Sequence, residues 1–293
     1  MSGLVQTSIE QGLIFAILGM GVFITNKILK MADLSVEGSF PFGAFIFAKF
    51  LLMGLNPITS TVLAFLFGSL AGLVTAIFFT KFKINSLLSG ILTMNILYSV
   101  NLKINNRSNI PLSNQDLIFD MGPRLLILIG ITLLVKFLID LFLKTELGYL
   151  LVATGDNESL VKSLGQDSHR MKIMGLMLSN GLIALSGALM AQLLGYVDAQ
   201  MGKGTLVVAL AAIIIGDTIM KNSSLLKSTS RAIIGAIIYK LIGGFAIDLG
   251  LEPNDLSAIN ATIVIAFLLY NNFFTDFLNK LKNRGGEKYA KDY

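Results

Sequence analysis

The sequence predicts an all-α polytopic membrane protein of about eight transmembrane helices, two of them interrupted or re-entrant and related as an inverted repeat. Three observations predict it. The 293 residues are 54% hydrophobic and 14% charged, against roughly 25% charged in ordinary soluble domains, and mean hydropathy is +0.74. Apolar runs near the length a bilayer crossing needs recur along the chain, and in hydrocarbon only helices and closed barrels satisfy their own backbone. Positive charge is also sorted between alternate loops, as insertion into a membrane demands.

Taken in order, the first apolar run is 8–25, ending at Lys27 and Lys30. No basic stretch precedes it and no small-residue cleavage site follows, so it reads as a retained helix rather than a signal peptide. Residues 33–41 are polar and punctuated by Gly38 and Pro41, an approach to a short apolar run at 42–53. Gly54 to Pro57 turns the chain into a run at 58–80, and Lys81 and Lys83 separate it from another at 84–100. A loop rich in Asn, Ser and Pro spans 101–123, and the next run is 124–143. After a polar interval comes 173–196, then a second glycine-rich approach, Asp198 to Gly204, leading into the short run 205–219. Runs at 232–249 and 257–274 complete a transmembrane domain of residues 1–275, and a basic tail, 276–293, closes the chain.

Placing the central loop inside puts sixteen of the 23 basic residues on one side and four on the other. That bias predicts a cytoplasmic central loop and C-terminus and an external N-terminus. The two glycine-rich approaches then enter from opposite faces, each before an unusually short run, which is the sequence mark of an inverted repeat with a pathway between its halves.

The longest polar interval between two spans in mid-chain is 144–172. Its centre, Asp156 to Gly165, reads as one short helix. Asp156 or Asn157 caps it, Glu158 suits the positive N-terminal end and Gly165 stops it. Leu160, Val161 and Leu164 give it an apolar stripe, which suits a docking helix; the plain alternative is a helix lying on the membrane surface.

Small residues at packing distance, Gly68 to Gly72 and Ala184 to Gly195, let helices approach closely. Polar residues inside runs are costlier. Asn95, Asn180 and Gln192 either line a hydrated path or bond neighbouring helices, and Lys240 is the deepest of the intramembrane lysines. Lys49 lies near a span end and can snorkel; Lys136 has Asp140 four residues on as a partner.

The sequence also excludes much. Without cysteine, and with His169 as its single histidine, it offers no thiol chemistry and no histidine metal cluster. No phosphate-binding loop, no H-E-x-x-H and no Ser/His/Asp set is present, so neither an enzyme nor a self-contained ATPase is expected. The net charge of +5 belongs to membrane sidedness, not to nucleic-acid binding.

The stretches Val152 to Asn157, Leu164-Gly165, Gly175 to Asn180 and Ala184 to Leu189 resemble the permease subunits of bacterial ABC importers. The branch is that of the branched-chain amino acid and ribose permeases, and the closest likeness is to permeases of the tryptophan/tyrosine-linked type. Ala32 to Pro41, Ser89 to Met94, Met201 to Gly204 and Ile213 to Asp217 support it, and the resemblance covers about residues 10–275. The short, weakly basic N-terminus departs from relatives that carry an extra first helix.

The resemblance implies a multi-pass protein of the bacterial inner or plasma membrane that imports a small solute, an amino acid or related aromatic compound. It implies a coupling helix in the central loop, carried by Gly155, Asp156, Asn157, Leu160, Leu164 and Gly165, seated in a separate ATP-binding subunit. ATP would be bound there and not by this chain. It further implies a second permease chain as homodimer partner and an extracytoplasmic substrate-binding protein. Two rival readings remain at this level: a secondary transporter driven by an ion gradient, and a membrane scaffold that recruits a cytoplasmic partner.

Overall fold

The computed structural model describes residues 2–113, 115–220 and 228–248, together with 261, 262, 265 and 269. Helix α1 (Ser2–Phe23) continues into a π-turn, Ile24–Ile28. Then follow α2 (Val36–Leu52), α3 (Pro57–Thr80), α4 (Ser86–Ile104), β1 (Asn109–Pro111), α5 (Arg124–Phe142), α6 (Glu146–Asp156) and α7 (Glu158–Ser163). The described chain ends with α8 (Ser168–Leu194), β2 (Tyr196–Asp198), α9 (Thr205–Ile219) and α10 (Ser228–Asp248).

Six of these helices are long and apolar enough to cross a membrane: α1 with its π-turn, α3, α4, α5, α8 and α10. Helices α2 and α9 are shorter, at 17 and 15 residues. The all-helical polytopic class is as expected; the described residues give six such spans besides the shorter α2 and α9, and do not fix the total expected at about eight. The last apolar run, 257–274, and the tail 276–293 lie outside the described residues.

Helix α8 is the axis of the bundle, packed against α1, α2 and α3. Small residues make the contacts possible, as their spacing predicted. A Cβ on Gly43 would strike the Ala184 carbonyl, one on Gly187 the Phe40 carbonyl and one on Gly72 the Leu176 carbonyl. Close backbone approach of this kind replaces the hydrophobic effect as the glue between helices in lipid. The outer helices turn apolar side chains outward instead: Leu66 and Leu70 of α3, Leu92 and Ile96 of α4, and Leu133 and Phe137 of α5 are exposed.

One end of the bundle is basic and carries α6 and α7. The other is closed by the antiparallel pair of β1 and β2, with Ile110 opposite Val197. Helix α2 begins at Val36, six residues before the apolar run expected at 42–53, and passes through Pro41. A proline cannot donate to the carbonyl four residues back, so the Glu37 carbonyl has no helical partner from it. Gly202 lies against that oxygen and the Pro41 ring, with no room for a Cβ. The two interrupted segments therefore meet, one from each end of the bundle.

Candidate functional site

At the basic end, the polar interval expected to hold one helix holds two. Helix α6 starts where the Thr145 hydroxyl accepts from the Gly148 N–H at 3.2 Å, with Glu146 in its first turn. The signal for it was present in that cap and in the spacing of Leu147, Leu150 and Leu151. Gly155 lies so close to the Ile28 carbonyl that no Cβ fits. Next to it, Asp156 pairs with Lys30 at 2.9 Å. Thus α6 is seated on the link between α1 and α2.

Asn157 adopts an extended backbone and caps α7, its side-chain oxygen accepting from the Leu160 N–H at 3.1 Å. Gly165, at φ +73, ends the segment. Glu158 accepts from Lys172 at 2.7 Å, Lys162 at 2.9 Å and the Ser168 hydroxyl at 2.9 Å. Hydrogen bonds from Lys172 first, then Lys162, pull its carboxyl down to about 2. The apolar stripe divides: Val161 is buried, whereas Leu160 and Leu164 are 49% and 63% exposed. Two leucines therefore project from the basic end. Asp217 of α9 also reaches this end, pairing with Lys27 at 2.9 Å and Arg231 at 3.8 Å.

Inside the bundle, Asn180 is a hub and not a free lining group. Its oxygen accepts from the Ser35 and Ser39 hydroxyls at 3.0 and 2.6 Å. Its nitrogen donates to Asp33 at 3.1 Å and to the Leu176 carbonyl at 3.1 Å. Asp33 also accepts from the backbone N–H and hydroxyl of Ser35. All four residues are buried. Asn180 stands eight residues beyond Lys172 on α8, about 12 Å at 1.5 Å per residue, so the network lies well inside the hydrocarbon. Sequence reading had treated Asp33, Ser35, Glu37 and Ser39 as a loop leading up to a span.

The other candidates separate in the same way. Gln192 is buried at the hairpin end, donating to Thr61 at 3.0 Å and accepting from the Ile118 N–H at 3.1 Å. The Lys240 ammonium sits 3.8 Å from the Phe15 ring centroid, and Phe15 stacks on Phe40 with centroids 6.1 Å apart. Asn95 alone of the four is exposed, on α4 beside Met94, whose backbone packs on Gly38. A hydrogen bond also joins the two interrupted segments: the Glu37 carboxylate accepts from the Gly204 N–H at 3.0 Å.

Two short helices whose non-helical approaches meet inside a helical bundle fit a transporter architecture, and comparison with known proteins specifies which. The family described as branched-chain amino acid transport system / permease component matches residues 4–270. The chain belongs to that family. It is accordingly an ABC-type permease subunit and a multi-pass membrane protein, not an enzyme, and its family works with an ATP-binding subunit and a substrate-binding protein. Among its relatives, the "Tyrosine transport system permease protein" of Clostridioides difficile (strain R20291) is 48% identical over 274 residues, covering 93% of this chain and 92% of that one. The uncharacterized protein RP368 of Rickettsia prowazekii (strain Madrid E) is 34% identical over 271 residues, covering 90% and 94%. The permease LsrC of the Escherichia coli autoinducer 2 import system is 28% identical over 229 residues, covering 77% and 65%.

Proposed function

We propose that this permease imports an amino acid, tyrosine or a close aromatic analogue, and that α6 and α7 couple it to a separate ATPase. The observation that carries the coupling is the seating of Gly155 on the Ile28 carbonyl beside the Asp156–Lys30 ion pair. Ile28 closes the π-turn, and Lys30 lies in the non-helical link that follows, enters the membrane and reaches Asp33. A push on α6 therefore acts on a segment fixed to α8 through Asn180 and continuous with α2. The exposed Leu160 and Leu164 offer the ATPase its apolar contact, with Asn157 and Gly165 setting the ends of α7.

In this reading the basic end and the C-terminal tail 276–293 are cytoplasmic, and the domain comprises residues 1–275. Two identical chains pair, and an extracytoplasmic binding protein delivers solute at the hairpin end. ATP-driven closure of the ATPases moves α6 and α7 and shifts the chains between outward and inward access, a population shift between two packed states. The tyrosine assignment leans on the 48% identical relative.

The test is purification of the tagged chain from its native membrane in mild detergent, with companions identified by mass. An ATPase subunit should co-purify, and Leu160→Asp with Leu164→Asp should release it. A chain that carries no ATPase and transports alone after reconstitution would overturn the reading.

A further inference from the structure

The meeting point of the two broken helices lies at mid-depth by two independent lengths. From Thr205 to Asp217, at the basic end, α9 rises about 18 Å; from Pro41, which Gly202 touches, to Leu52 at the other end, α2 rises about 16 Å. A bilayer core is about 30 Å thick, so Glu37, Gly202 and Gly204 sit near its middle. Yet Lys203 and Gly204 are exposed and Glu37 is half-exposed. Charged side chains and non-helical backbone at this depth are not stable against acyl chains; they occur where they line a water-filled cavity. This face therefore borders the aqueous path.

The charges on it are of both signs and are not joined to each other. The Lys203 ammonium donates to the Gln200 side chain at 2.9 Å, leaving two of its three protons for other acceptors. Glu37 uses one carboxylate oxygen on the Gly204 N–H, and its second has no partner among the described residues. The two residues are nonetheless neighbours, because the same Gly202–Gly204 turn that carries Lys203 rests on Glu37.

We infer that Glu37 and Lys203 form a two-point site for a zwitterion, Glu37 holding the ammonium and Lys203 the carboxylate of an α-amino acid. A neutral solute such as a sugar has no use for such a pair, and a simple anion or cation would be repelled by one member of it. The inference rests on the importer reading above and names the residues that hold its substrate. Each broken helix supplies one charge, so relative movement of α2 and α9 would part the pair and release the bound solute.

The test uses the chain reconstituted in vesicles with its ATPase and binding protein, and radiolabelled L-tyrosine as the probe. Glu37→Gln and Lys203→Gln should each lower uptake at least about tenfold, as expected when a charge loses its buried partner, while the ATPase stays bound. Tyramine, which lacks the carboxylate, should compete poorly with tyrosine in the wild type and should lose no further ground in Lys203→Gln. Assembled variants that import tyrosine at the wild-type rate would overturn the site while leaving the importer reading intact. Wild-type vesicles that hold the ATPase but import no tyrosine would overturn both the solute assignment and the site. A second measurement serves if the variants fail to assemble. The chain has no cysteine, so Lys203→Cys can be probed with a charged, membrane-impermeant thiol reagent. Labelling that tyrosine slows is expected; refusal of the reagent would overturn the site.

Discussion

The basic end and the interior junction are both polar, and both join distant parts of the chain, but they are built on opposite terms. At the basic end the ion pair beside Gly155 is open to solvent: Lys30 and Asp156 are 58% and 63% exposed. Such pairs contribute between nothing and about 1 kcal/mol, and the seating of α6 depends on shape, on a glycine with no room for a methyl group. In the interior nothing is open around Asn180, and a buried polar group that loses a partner costs far more than the bond was worth. One region rests on solvent-exposed contacts; the other ties the link before α2 and the start of α2 to α8 through fully buried ones.

The largest effect should come from the interior. Asn180→Leu takes one donor from the Asp33 carboxylate, which keeps the Ser35 N–H and hydroxyl, and strands the Ser39 hydroxyl; the expected loss is about 3 kcal/mol, read as a collapse of the monodisperse peak in detergent and a lower unfolding temperature. A near-native unfolding temperature would mean that the network is not what anchors α2. Next comes Gly155→Val, whose side chain must displace the Ile28 carbonyl. Overpacking of that kind costs about 1–3 kcal/mol; the variant should insert normally but lose ATP-driven uptake, and unchanged uptake would separate α6 from coupling. Lys30→Ala should change unfolding by less than about 1 kcal/mol, and a larger shift would show that charge rather than shape seats α6.

The smallest effect is a matter of pH. The Glu158 carboxyl lies below its usual 4.5, at about 2, so its pairing with Lys172 and Lys162 stabilises the folded form fully above about 4.5. That contribution fades as pH falls toward about 2. Proteolysis of the α7 region at fixed temperature should be flat from pH 8 to 5 and should rise only in acid. A rise near pH 6 would point to a different group.

What the sequence showed of these two regions follows from where their partners lie. Asn157, Leu160 and Gly165 act within one short helix, so cap, stripe and stop were readable locally. Even there α6 was missed, because a stretch following Lys144 looked like plain loop. The interior junction was read as a polar approach because Asp33 follows Lys30 by three residues and hydropathy alone cannot tell a loop outside the membrane from a link that turns back into it. Its meaning depends on Asn180, 147 residues away in sequence from Asp33, and on Gly204, 167 away from Glu37. Asn180, Gln192 and Lys240 stood out as polar residues inside runs, but spacing did not tell which faced neighbours and which faced a cavity. Small-residue packing along α8 was legible because it depends on one helix at a time.

The central claim is that α6 and the α1–α2 link move as one body during the ATP cycle. Because the chain has no cysteine, Lys30→Cys and Asp156→Cys can be joined by a short bifunctional thiol reagent in the reconstituted complex. The account predicts that the cross-linked transporter still couples ATP hydrolysis to tyrosine uptake at close to the uncross-linked rate. Uptake that stops on cross-linking and returns on cleaving the linker would show that the loop slides over the link, and would contradict it.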